Sequence, residues 1–152
     1  MQWSNLRRGE LVAAVGGLLL AISVFVKWYE ARPENRNAEI DGMKGTLSAW
    51  QVHGIMRFLL LLAAIAPIVL VYVIAREHQL SWPRGEMTAV VGVAALGLIF
   101  YNGIIDRPGN PPGEIELEIG WYGAMLGSML MVYGAFARSA EFERKRKPPG
   151  TI

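Results

Sequence analysis

Trp50, His53 and Arg57 fall at i, i+3 and i+7, a spacing that would put all three on one face of a helix. They combine a fixed guanidinium, a side chain that titrates near neutrality and an aromatic plane, which is the make-up of an anion site. In that reading Arg57 supplies the charge and His53 a pH-sensitive donor. The plainer reading, which we prefer, is an arginine snorkelling beside an interfacial tryptophan. A second polar set, Glu114, Glu116 and Glu118, alternates with Ile115, Leu117 and Ile119 and would line one face of a strand. Clustered oxygens can hold calcium, but no Asp-x-Asp-x-Asp-Gly loop accompanies them, so we read a solvated face or one paired with Arg32, Arg36 or Lys44. The chain has no cysteine, which removes disulfides, thiolate metal sites and cysteine nucleophiles. No Ser-His-Asp set, His-Glu-x-x-His pair or phosphate loop is present either. No catalytic residue, metal or cofactor is therefore assigned, and an enzyme is not expected.

The elements that must position these residues are apolar. Of 152 residues 53% are hydrophobic and 18% charged, and the apolar ones come in four blocks, Leu11 to Val26, Phe58 to Ala75, Met87 to Ile105 and Ile119 to Ala137. Each is an uncharged run close to the ~20 residues that span ~30 Å of hydrocarbon, and a helix is the open element that satisfies its own backbone there. The expected fold is an all-α membrane protein of one domain, a four-transmembrane-helix bundle with spans at about 8–29, 52–76, 86–105 and 119–138. Outer loops take about 30–51 and 106–118, and a basic tail follows over 139–152. Arg7 and Arg8 precede the first block, but no small-x-small cleavage pair follows it, so we read it as a retained helix.

A net charge of +2 and a pI near 9.1 read as a topology signal rather than a nucleic-acid patch. Arg7, Arg8, Arg76, Arg84, Arg138 and the run Arg144 to Lys147 flank one side. The other side has fewer basic residues over a longer loop. The positive-inside rule then puts both termini in the cytoplasm of a cell (plasma or inner) membrane, with the basic tail on anionic lipid. Trp3 and Trp82 at inner ends, and Trp28, Tyr29, Trp50, Trp121 and Tyr122 at outer ends, read as interfacial anchors.

An internal repeat is visible. Arg8-Gly9-Glu10, followed by Ala13, Val15 and Gly16, recurs as Arg84-Gly85-Glu86 with Ala89, Val91 and Gly92 at a constant offset. Two tandem helical hairpins of one orientation follow from it. Gly120, Gly123, Gly127 and Gly134 share a face of the fourth helix, and Ala13, Gly17 and Ala21 one of the first. Such small residues let helix backbones approach closely, within the chain, in a homo-oligomer or against a partner membrane protein. Asn102, Ser23 and Ser128 read as packing residues.

The outer loops carry strand signals, from Gly113 to Ile119 and around Asp41-Gly42, a hairpin pair flanked by Ala38-Glu39-Ile40 and Met43-Lys44-Gly45. We expect one small extracytoplasmic β cap shared by both loops. Ser48 and Gln51 form a capping box, so the second helix should start there and run into its span until Pro67 kinks it. The fourth helix should continue past its span through Glu141–Lys145 and Glu143–Lys147 pairs and stop at Pro148.

At Lys27-Trp28-Tyr29 and Gly45-Thr46-Leu47-Ser48-Ala49-Trp50-Gln51 the chain resembles small bacterial four-helix membrane proteins of uncharacterised activity. These carry a Trp-Tyr after the first span and a Ser-Ala-Trp before the second. The resemblance implies a tetraspan fold and a membrane location. A looser likeness is to claudins, with Trp28 and Trp50 framing the longer first loop, although the loop cysteines of that family are absent. The expected role is a non-catalytic structural or accessory component of a membrane assembly. The alternative is a small oligomeric channel or transporter for an uncharged or anionic solute, with Arg57 and His53 at its mouth.

Overall fold

The computed structural model describes residues 7–76 and 85–146, with side chains as far as Ala140. These are mostly helical, and among the described residues three helices are long and apolar enough to cross a membrane, at Met56–Ala75, Glu86–Ile105 and Ile119–Ala140. Trp3, Trp82, Pro148 and Lys147 lie outside the described residues, and the Glu141, Glu143, Arg144, Lys145 and Arg146 side chains outside the described ones.

Helix α1, Arg8–Ser23, has 16 residues and ends six short of the expected boundary at 29. At ~1.5 Å per residue it is ~24 Å long. Its first turn is closed by Glu10, whose Oε2 accepts the Arg7 amide at 3.0 Å. Its end is decided by tertiary donors. The Trp28 indole donates to the Ser23 carbonyl at 2.7 Å, and the Trp50 amide to the Val24 carbonyl at 3.0 Å. These donors take helix-end carbonyls and release the chain into strand β1, Lys27–Ala31.

β1 is the centre of a three-stranded antiparallel sheet, between β2 (Thr46–Ser48) and β3 (Ile115–Leu117). Tyr29 pairs with Leu47 on one side and Leu117 on the other. Both loops thus share a sheet, but its middle strand begins at Lys27, Trp28 and Tyr29, which were expected inside the first span. Asp41 and Gly42 both have positive φ, 50° and 77°, as a two-residue hairpin turn requires. The turn carries a single bridge, Ile40 to Met43, and Glu39 beside it bridges to Asn110 in the second loop.

The second span also starts differently. The capping box at Ser48 is present, with the Ser48 amide donating to Gln51 Oε1 at 3.0 Å, but it opens a single-turn helix, α2 (Ala49–Val52). The backbone turns extended at His53, and α3 begins anew at Met56 and runs through Pro67 to Ala75. Helix α4, Glu86–Phe100, passes into a π turn over Tyr101–Ile105, and α5 spans Ile119–Arg146.

Glycines set how the helices meet. A Cβ on Gly127 would lie 2.7 Å from the Gly16 carbonyl oxygen, and one on Gly16 would lie 2.6 Å from that of Gly127. Gly9 faces Gly134 and Arg138, and Gly123 faces Ser23, so α1 runs antiparallel along α5 at backbone contact. Gly85 lies against Ala135 and Gly92 against Val132, which makes α4 antiparallel to α5 as well. The glycines that recur in the sequence, Gly9 with Gly85 and Gly16 with Gly92, therefore all dock on α5. Gly17 turns the other way, to Ala64 and Pro67 of α3. Leu20, Leu60, Ile99, Ala124 and Met131 fill the core between.

Candidate functional site: the polar junction between bundle and sheet

The densest set of polar side chains lies where the helices meet the sheet. α4 ends in carbonyls that its own backbone cannot satisfy, as any helix does, and a switch to π pairing adds to the shortfall. Side chains from four places answer it. Asn102 Nδ2 donates to Leu98 at 2.9 Å and the Trp121 indole to Ile99 at 3.0 Å. The Tyr29 hydroxyl donates to Asn102 at 3.2 Å, and Arg107 Nε to Gly103 at 2.8 Å. Arg107 also reaches the Ile115 carbonyl in β3 at 2.6 Å, which ties the helix end to the sheet. Gly103 is required here because a Cβ would run into the Trp121 indole.

His53 sits against this set with Nε2 3.0 Å from the Tyr29 hydroxyl. Its ring meets Tyr29 and Trp28 edge-on, at centroid distances of 5.7 and 6.1 Å. A phenol has one proton. The arrangement that satisfies all three groups has His53 Nε2–H donating to Tyr29, and Tyr29 donating to Asn102. Burial pushes the Tyr29 phenol well above its usual range, and the Arg107 charge offsets this in part, so the hydroxyl stays protonated. Burial likewise holds His53 below its ordinary value, with Asp41 pulling the other way.

The expected Trp50, His53 and Arg57 face is not formed. The break after α2 turns His53 inward to Tyr29, while Arg57 Nη1 donates to the Trp50 carbonyl at 2.8 Å. The guanidinium lies 4.5 Å from the Trp50 ring centroid and 4.9 Å from that of Phe58. Arg57 thus caps α2 and stacks on its tryptophan, and His53 belongs to another group. Trp28 and Tyr29 are fully buried rather than interfacial, and Trp121 is buried with them, whereas Tyr122 is exposed. The role of Tyr29 was not visible in the sequence, since His53 and Asn102 lie 24 and 73 residues from it, and that of Arg107 depends on the π turn and the strand that place the Gly103 and Ile115 carbonyls. The only hint was the unusual run of hydrogen-bonding aromatics at span ends.

Elsewhere, Arg32 Nε donates to Glu116 Oε1 at 2.7 Å and lies 3.9 Å from Glu114, which pairs the acidic strand with the first loop. Of the small-residue set, Gly120 lies against the Lys27 carbonyl and Trp28, Gly134 against Gly9 and Ala13, and Ala13 is buried while Ala21 is partly so. The hydroxyls of Ser23 and Ser128 return to Leu19 and Ala124 in their own helices. At the far end of the bundle Glu10 is buried in an ion pair with Arg138.

No family model, curated protein or solved structure matches this chain.

Proposed function

We propose that the chain is a four-span membrane protein acting as a non-catalytic structural or accessory component of a membrane assembly. Its termini lie in the cytoplasm and its sheet outside the cell membrane. The observation that carries the non-catalytic reading is the fate of the junction's donors. Asn102, Trp121, Tyr29, Arg107 and Arg57 all end on backbone carbonyls at helix ends or in the sheet. Donors used in this way fasten elements together and are not aimed at a reacting group.

The four-span reading draws support from α1. Although short, it lies along α5 from Gly134 back to Gly123 and exposes Leu11, Val15, Leu18 and Ile22 on its outer side. Phe58, Leu62 and Ile65 of α3, Val90 and Val93 of α4, and Leu126, Met129 and Tyr133 of α5 are exposed in the same manner. Apolar faces turned outward on every long helix, around a core of Leu20, Leu60, Ile99 and Met131, suit a lipid solvent. The tandem-hairpin reading rests on the repeated glycines that bring α1 and α4 to α5 in one orientation. The resemblance to small bacterial four-helix membrane proteins points the same way.

Reconstitution separates this role from a channel. Liposomes containing the purified chain should pass iodide, glycerol and urea no faster than empty ones, and mild-detergent extraction should recover it with a fixed stoichiometry of itself or of one membrane partner. Saturable solute flux would overturn the reading in favour of a channel or transporter.

A further inference from the structure

We infer that Arg57 is the seat of one phospholipid, whose phosphate it binds while an acyl chain lies along the outer face of α3. This rests on the membrane reading above and adds a ligand to it. Level, charge and surface lead there. α3 has 20 residues and is ~30 Å long, the thickness of the hydrocarbon core of a bilayer. Arg57 stands at its second position and Arg76 just past its end. Each guanidinium lies over an aromatic ring of the helix, that of Arg57 4.9 Å from Phe58 and that of Arg76 5.2 Å from Tyr72. Two arginines so spaced mark the two headgroup layers, and Arg57 is at the level of lipid phosphates.

The charge of Arg57 is not balanced within the described residues. Arg32 pairs with Glu116 and Arg138 with Glu10, but Arg57 forms no ion pair among them. Its one hydrogen bond there runs from Nη1 to the Trp50 carbonyl, and Nε is shielded from solvent with no acceptor. The Trp50 and Phe58 rings hold the group in place, at 4.5 and 4.9 Å. A guanidinium has five N–H donors in a fork that matches two phosphate oxygens, so most of its capacity is left for a ligand. No side chain caps the first turn of α3, and the positive end of that helix adds to the attraction. The surface below selects a lipid over a free anion. Phe58, Leu62, Ile65, Val69 and Tyr72 succeed one another at i+4 and i+3 and are all exposed, an apolar stripe between the two arginines. Beside Arg57, Ile55 is 78% exposed. An ion from water would have to reach the arginine at this apolar edge, whereas a lipid brings its phosphate to that level with its chains on the stripe.

Photolabelling tests the seat. A phosphatidylglycerol with a diazirine near the head of one acyl chain, added in equimolar amount to the full chain in lipid-free detergent, should crosslink chiefly between Phe58 and Ile65. Unlabelled phosphatidylglycerol should compete, while diacylglycerol with the same chains and inorganic phosphate should not. Arg57→Gln should cut labelling there by about tenfold, as expected for loss of a charge-assisted hydrogen bond. Arg32→Gln, whose arginine pairs with Glu116 in the sheet, should label as wild type. The wild-type arms decide the matter even if Arg57→Gln does not fold. Labelling spread evenly over the outward faces of all the helices overturns the seat, and so does equal competition by diacylglycerol. Displacement by inorganic phosphate overturns it in favour of a free anion, and undiminished labelling of a folded Arg57→Gln chain removes Arg57 from it. A chain that alkaline carbonate strips from membranes sinks the membrane reading together with the seat, whereas one that resists the wash and shows no preferred label sinks the seat alone.

Discussion

At the scale of single residues, the side chains that matter are those whose neighbours leave no substitute. Gly127 and Gly16 place their carbonyl oxygens where each other's Cβ would be. Gly127→Leu should therefore force α1 from α5 and cost more than the ~1–3 kcal/mol of ordinary overpacking, whereas Met125→Leu, a volume-conserving change, should cost under ~1.5 kcal/mol. Size-exclusion and thermal melts in detergent distinguish them. Because Gly127 faces Gly16 of the same chain, the expected damage is loss of monodisperse folded protein. A folded species of lower mass would instead put the glycines between subunits. His53 supplies a pH dependence with a definite sign. Its folded pKa lies below the ordinary 6.5, so above that pH both folded and unfolded chains hold it neutral and stability is complete. As the pH falls below 6.5 the unfolded chain binds the proton first, and stability declines until the folded pKa is passed. The melting temperature should fall over this window in the wild type, and His53→Gln should remove that part of the slope.

At the scale of elements, α1 is the helix most dependent on others. Its C-terminal carbonyls are taken by Trp28 and the Trp50 amide, and its first turn is fixed to α5 through Glu10 and Arg138. The Glu10 side chain is only 1% exposed and that of Arg138 12%. Removing one member of a buried pair costs about 3–5 kcal/mol, while replacing both by apolar groups is often neutral. Glu10→Gln should accordingly lower stability by about 3 kcal/mol, and the double change Glu10→Leu with Arg138→Met should recover most of it. Urea or thermal unfolding of the four variants in one detergent checks both steps. If the double variant is as unstable as the single one, the charges do more than pack α1 on α5. The capping box at Ser48 shows the opposite case: a correct local signal starts a helix, but Gly54 and the pull of Tyr29 on His53 end it within a turn.

For the whole molecule, orientation is the property to test. The basic residues concentrate near the termini and the α3–α4 connection, and the loop between α1 and α3 faces the other side. A cysteine at Asn37 should react with an impermeant thiol reagent in intact cells, and one at Gln79, outside the described residues, should react only after lysis. The reverse pattern would invert the protein in the membrane and move the sheet to the cytoplasmic side.

The apolar blocks of the three long helices and a strand within Gly113 to Ile119 were legible in the sequence, because each follows from local composition or spacing: lipid demands apolar runs and alternation suits a strand. Tertiary structure decided the rest. Lys27-Trp28-Tyr29 continues an apolar span as far as local chemistry can tell, and it became a central strand only because Trp28 caps Ser23 while β2 and β3 pair on both sides. Trp50, His53 and Arg57 have helical spacing, and they were separated by a hydrogen bond to Tyr29 from a distant strand. The carbonyls at helix ends must be satisfied, yet which donors do so depends on what folding brings near, and Trp121 and Tyr29 reach theirs across the fold.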